Sequence, residues 1–218
     1  MKRPYAMRAR AESTNRTRDR ILTAVDTLSQ ERLSMQISLA DVAQRAGISV
    51  QTVLRHFGTK DRLFEAAWAR TADIVRAERA TPVGDLATAV RTIVASYERI
   101  GDWSVRLQAQ KSTDELARRA VAVGRGFHRQ WVADVFATHL TQRADSAELL
   151  DLLVVATDVL TWKNLRRDMG LDPDATITRM RRLVQALLDS PSAQQPTAMR
   201  AGQQPRPGRE NPPGVDGT

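Results

Sequence analysis

The segment SLADVAQRAGISVQTVLRHFGTKDRLF, residues 38–64, decides how this chain is read. Its first half predicts a helix over about Leu39–Ala46, with Ser38 as N-cap, Asp41 in the first turn, Val42 and Ala43 facing inward and Gly47 as the stop. A second helix opens at once behind Ser49 and runs over about Val50–Phe57, where Val53 and Phe57 point to the core and Gly58 ends it. Glycine at position 47 can take positive φ, so the second helix can leave at a steep angle. Such a pair lets the first helix brace a phosphate backbone while the second enters a major groove.

The outer face of that second helix carries the chemistry. Val50, Gln51, Leu54 and Arg55 share one side. Gln51 can read adenine edges, Arg55 can bond guanine O6 and N7, and Val50 and Leu54 can meet thymine methyls. Thr52, His56, Ser38 and Lys60 are expected at flanking phosphates, Lys60 because it opens the next helix, where free N–H groups face an anion.

Working outward, Ile21, Val25 and Leu28 form the inward stripe of a preceding helix over about Thr14–Glu31. Residues 1–13 are basic without periodic apolar positions and read as a flexible arm, while Arg16 and Arg20 on the helix proper are better placed to touch phosphates. The net charge is +8, and residues 1–60 carry eleven Lys/Arg against five Asp/Glu, so the anion-binding surface falls in the first quarter of the chain. From Ser190 the composition turns polar and holds six of the nine prolines, which predicts a disordered tail over 190–218. The expected division is arm 1–13, helix-turn-helix domain 14–60, helical domain 61–189 and tail 190–218.

Beyond Phe64 the helical period continues. A fourth helix opens near Thr59-Lys60-Asp61, and five more are expected near Val83–Ile100, Trp103–Gln110, Asp114–Leu140, Ala147–Met169 and Asp174–Leu188, with Gly101 as one break and Gly124 or Gly126 as a kink. Seven of the ten aromatics fall in this region. Trp68, Tyr97, Trp103, Phe127, Trp131 and Trp162, with His128, are candidates to line a pocket for a small apolar or amphipathic ligand, although plain core packing satisfies each of them equally. The helix at 147–169 is apolar almost all round, so a second surface has to cover it. Leu152, Val155, Val159, Leu183 and Leu187 are the candidate seam of a homodimer, the alternative being a central helix in a monomer. Asp151 and Asp158 share a face there and either pair with Arg179, Arg181 or Arg182 or face solvent.

Other classes are disfavoured. Cysteine is absent, so disulfides, thiolate metal sites and cysteine nucleophiles are excluded. His128 and His139, on one continuous helix, would lie roughly 16 Å apart, too far to share a metal. There is no P-loop, no run of membrane-spanning length and no apolar core behind the basic N-terminus. The expectation is a cytoplasmic protein that is not an enzyme and holds no cofactor or metal.

The residues Arg18-Asp19-Arg20-Ile21-Leu22, Asp41-Val42-Ala43, Ala46-Gly47-Ile48-Ser49, Thr52, Arg55-His56-Phe57, Lys60 and Leu63-Phe64 together resemble the DNA-binding region of the TetR family of bacterial regulators. The stretch Thr157–Leu171 also resembles some members, many of them from high-GC bacteria. The family pattern commonly has an aromatic, usually Tyr, where this chain has Leu54, so a hydroxyl contact is absent and Leu54 is left with an apolar base contact. The resemblance implies an all-α fold of about nine helices, with a three-helix helix-turn-helix domain and a C-terminal ligand-binding and dimerisation domain. It also implies a homodimer on a two-fold, double-stranded operator that represses transcription until a small ligand releases it. Two other readings stay open: an architectural DNA-binding protein without a ligand, and a helical small-molecule-binding protein that has lost operator recognition.

Overall fold

A computed structural model describes residues 3–191, with side chains from Glu12 onward. The expected tail therefore lies almost wholly outside the described residues. The chain is all-helical among those residues: α1 (Arg3–Glu31), α2 (Leu39–Ala46), α3 (Val50–Phe57), α4 (Lys60–Glu78), α5 (Leu86–Gln110), α6 (Glu115–Val135), α7 (Ala137–Leu140), α8 (Ser146–Ala156), α9 (Val159–Lys163) and α10 (Pro173–Asp189). A 3-10 turn at Ser34–Gln36 precedes α2. Helix α1 starts at Arg3, so its backbone takes in most of the segment expected as an arm. Pro4 fits the first turn of a helix, and the residues after it include no breaker.

The N-terminal core joins Ile21, Val25 and Leu28 of α1 to Val42 and Ala43 of α2, Val53 and Phe57 of α3, and Leu63, Phe64 and Ala67 of α4. Leu116 of α6 completes it, so the C-terminal unit reaches into the helix-turn-helix one. The second core packs α5, α6, α8, α9 and α10 around Ile93, Val132, Phe136, Leu153, Trp162 and Met180.

Three helix boundaries differ from the sequence expectation, each for a packing reason. Helix α5 runs straight through Gly101. A Cβ there would stand 2.3–2.9 Å from three atoms of the Trp162 ring, so this glycine is a socket for the indole rather than a break. Gly124 and Gly126 leave α6 continuous, and it ends instead at the buried Phe136. The expected helix over 147–169 is broken at Thr157-Asp158. Buried groups from other helices take up its backbone there: the Tyr97 hydroxyl donates to the Thr157 carbonyl (3.1 Å), and His128 Nε2 lies 3.3 Å from the Val154 carbonyl. Asp158 then caps α9 by accepting the Leu160 N–H at 2.8 Å. Asp151 pairs with Arg129, so neither aspartate meets the arginines of α10 among the described residues.

A buried polar joint fixes the two units together. The Ser34 N–H donates to Gln110 Oε1 (3.0 Å), and Ser34 Oγ lies 2.9 Å from the same oxygen and 2.7 Å from Asp114 Oδ2. The Asp114 carboxylate in turn caps α6 by accepting the Leu116 N–H. Among the described residues no helix is long and apolar enough to cross a membrane, and no His/Cys/Asp/Glu group is arranged to hold a metal.

Candidate nucleic-acid interface and ligand cavity

The turn between α2 and α3 is built from its own backbone. Gly47 takes φ 63° and ψ 43°, a left-handed conformation that side chains disfavour. The Gly47 N–H donates to the Gln44 carbonyl (3.1 Å) and the Ile48 N–H to the Ala43 carbonyl (3.0 Å), a complete Schellman closure. Ser49 then caps α3 by accepting the Thr52 N–H at 3.2 Å. The turn is therefore three residues long, and α3 presents a face that its own fold does not cover.

On that face Gln51 and Arg55 are exposed, Val50 is marginally exposed and Leu54 is half-buried. Arg16, Arg18, Arg55, Lys60 and Arg62 have no carboxylate within 4 Å among the described residues. Two arginines of the same unit are neutralised instead: Arg45 forks onto Glu31 (2.8 and 2.9 Å), and Arg32 pairs with Asp41 at 3.3 Å. The Arg18 guanidinium lies 4.6 Å from the Phe57 ring centroid, where stacking holds it beside the end of α3. His56 is held below the ordinary histidine range, first by burial and then by the charges of Arg55 and Arg18.

Three expected phosphate contacts also have local partners. Arg20 Nη2 donates to the carbonyls of Ala46 and Gly47, closing the C-terminal end of α2 with a cation. Ser38 forms a capping box, its N–H and hydroxyl both donating to Asp41 Oδ2 (2.8 and 2.6 Å). Thr52 Oγ1 lies 3.0 Å from Ser49 Oγ, inside the α3 cap. Arg20 could not be assigned to the turn from sequence because the contact spans 26 residues.

The second feature is a cavity of about 470 Å³ between α4, α5, α6 and the start of α9. Trp68, Tyr97, Trp103, Phe127 and His128 line it. Trp131 and Trp162 do not: the Trp131 Nε1–H donates to the Arg79 carbonyl (2.8 Å), and the fully buried Trp162 donates to Glu98 Oε1 (2.9 Å). Sequence reasoning missed Arg79, a buried arginine on the cavity wall, since nothing in its sequence context separates it from the exposed arginines around it. Burial, aided by the Arg79 charge, pushes the His128 imidazole down to about 4, against its contact with the Val154 carbonyl and the charge of Asp158. Burial likewise raises the Tyr97 phenol.

The expected dimer seam is split. Leu152, Val155, Leu160 and Leu183 are exposed apolar side chains, and Leu187 is half-buried. Val159 is buried and faces the cavity, because the break at 157–158 turns α9 away from the line of α8.

Residues 35–67, from the 3-10 turn through the first half of α4, match the family profile described as "Bacterial regulatory proteins, tetR family". This stretch is similar to the helix-turn-helix region of the TetR family. Around it the whole fold is similar to solved transcriptional regulators. One, from Rhodococcus sp. Rha1, is 19% identical with a TM-score of 0.62, over 78% of this chain and 95% of that one. A TetR-family regulator from Rhodococcus sp. is 20% identical with a TM-score of 0.63, over 79% and 98%. Salmonella enterica GusR is 16% identical with a TM-score of 0.64, over 80% and 96%. At these identities the likeness is one of fold. No curated protein matches the sequence.

Proposed function

We propose that this chain is a sequence-specific transcriptional repressor that acts as a homodimer on a two-fold operator and lets go when a small molecule fills the cavity. The observation that carries the reading is the exposed face of α3, with Gln51 and Arg55 free of side-chain partners among the described residues and cations without a carboxylate partner around it. Gln51 and Arg55 read base edges, Val50 and Leu54 meet thymine methyls, and Arg16, Arg18, His56, Lys60 and Arg62 supply phosphate contacts. The exposed leucines and valine of α8–α10 support the dimer, whose two copies of α3 would enter successive major grooves about 34–36 Å apart.

Helix α4 belongs to both units. Leu63, Phe64 and Ala67 close the helix-turn-helix core, while Trp68, Ala72 and Val75 wall the cavity. A ligand that needs more room between α4 and α6 would tilt α4 and carry α3 with it, shifting DNA affinity by its differential binding to the two arrangements. No catalytic step is invoked, and the site of action is cytoplasmic DNA.

Selection of bound duplexes from a random pool tests this reading. The expected product is an inverted repeat with half-sites one helical turn apart, and Arg55→Ala should relax preference at one base pair per half-site by about 1–3 kcal/mol. Recovery of duplexes with no shared sequence and a steep salt slope would favour an architectural protein. No retention at low salt would end the DNA reading.

A further inference from the structure

We propose that the cavity takes an amphipathic organic anion, an apolar or aromatic body carrying one carboxylate or sulfonate, with the anionic group seated on the Arg79 guanidinium. The proposal rests on the reading of this cavity as the ligand site and specifies its ligand chemistry.

Arg79 is only 4% exposed, yet no carboxylate lies within 4 Å of its guanidinium among the described residues. Its guanidinium donates from Nε to Ser96 Oγ at 3.1 Å and also bears on the Tyr97 hydroxyl. The rest of the group rests on ring faces, 4.9 Å from the Tyr97 centroid and 5.8 Å from that of Phe127. Buried arginines are almost always paired, because taking an uncompensated charge out of water is costly. Arg79 lines the cavity, so a ligand anion supplies the missing partner, and the guanidinium fork matches a carboxylate or sulfonate.

Two further buried polar atoms of cavity-lining residues have no hydrogen-bond partner among the described residues: Trp68 Nε1 and His128 Nδ1. The indole N–H is a donor suited to a second anion oxygen. Thr157 Oγ1 gives its proton to the Leu153 carbonyl at 2.7 Å, which leaves His128 Nε2–H to donate toward Val154 and Nδ1 as an acceptor for a hydroxyl or N–H on the ligand. The remaining wall is apolar and aromatic, including Trp103 and Leu107.

The charge balance agrees. Arg76, Arg79, Arg119 and Arg125 border the cavity against Glu65 and Asp158. Glu65 is engaged by Arg119 at 3.4 Å, and Asp158 holds the first turn of α9. A cationic ligand would meet an excess of arginine, and a neutral hydrocarbon would leave the buried guanidinium unanswered. A cavity of this volume accommodates a two- or three-ring body.

The test uses the full chain and two probes with one ring system: 1-anilinonaphthalene-8-sulfonate and the uncharged N-phenyl-1-naphthylamine. Binding is titrated by probe emission excited through Trp68 and Trp103. The sulfonate should bind at least tenfold more tightly than the amine. Arg79→Gln should remove that preference while leaving amine affinity within about threefold, and Ala72→Trp, which fills the cavity, should weaken both probes. Equal or weaker binding of the sulfonate by the native chain overturns the proposal, and this holds even if Arg79→Gln does not fold. Retained preference in a folded Arg79→Gln protein, or unchanged affinities in Ala72→Trp, overturns it as well. DNA release is read separately on the selected duplex. Probe-saturated protein that keeps its DNA would refute ligand release while leaving the anion site standing.

Discussion

Substituting alanine at two glycines of the C-terminal unit should move stability in opposite directions. At Gly101 the new Cβ would lie 2.3, 2.5 and 2.9 Å from Cζ3, Cη2 and Cε3 of Trp162. The indole has nowhere to go. It is fully buried, tied through Nε1 to Glu98, covered by the Arg167 guanidinium at 4.7 Å and packed against Tyr97 at 5.8 Å between centroids. Overpacking of this kind costs about 1–3 kcal/mol, and three ring atoms inside contact distance place Gly101→Ala at the upper end. Alanine regains about 1 kcal/mol of helix propensity, leaving a net loss of about 2 kcal/mol. Gly126 is the control, since nothing lies within 4 Å of a Cβ built there. Gly126→Ala should gain close to the full propensity difference, about 1 kcal/mol. For a chain of this length these changes correspond to roughly 4–8 °C down and 2–4 °C up in Tm. Thermal and urea unfolding at one fixed protein concentration reads both. If Gly101→Ala matched or exceeded the native Tm, the socket would not be closed around Trp162, and the account of why α5 runs through that glycine would be wrong.

The buried, neutral His128 makes the fold acid-sensitive. Its folded value is depressed to about 4 from 6.5, so its contribution is complete above about pH 6.5 and is lost as pH falls toward 4, where the unfolded chain takes up the proton first. About 2 kcal/mol should be gone by pH 5, and urea midpoints from pH 7.5 to 4.5 should show a slope that His128→Gln flattens. Gly47→Ala should cost about 1–2 kcal/mol, because the left-handed conformation is strained with a side chain and the Cβ would sit 3.2 Å from Arg20 Nη2. The check is DNA affinity, which should fall more than the melting temperature of the C-terminal unit. Leu152→Glu with Val155→Glu should yield monomers by sedimentation while helix content is preserved, and an unchanged mass would refute the α8 seam. Ser34→Ala should remove the hydroxyl that bonds Asp114 Oδ2 and Gln110 Oε1, while the backbone N–H still serves Gln110, and cost about 1 kcal/mol in urea unfolding.

Local chemistry determined the helix-turn-helix. Ser38, Gly47, Ser49 and Gly58 set the ends of α2 and α3 through caps and a left-handed turn, which act within five residues, so the expected and observed boundaries of both helices coincide. The exposed face of α3 followed, because the 3.6-residue period separates Val53 and Phe57 from Gln51 and Arg55. The tertiary structure alone decided whatever depends on a distant partner. Gly101 carries no local sign that an indole 61 residues away fills its place, and the break at Thr157-Asp158 requires Tyr97 and His128 from two other helices. Arg20 and Arg79 look in sequence like any other helical arginine. One closes a turn and the other lines a cavity without a carboxylate partner among the described residues, because a side chain's charge is written in the sequence but its counterpart is chosen by packing.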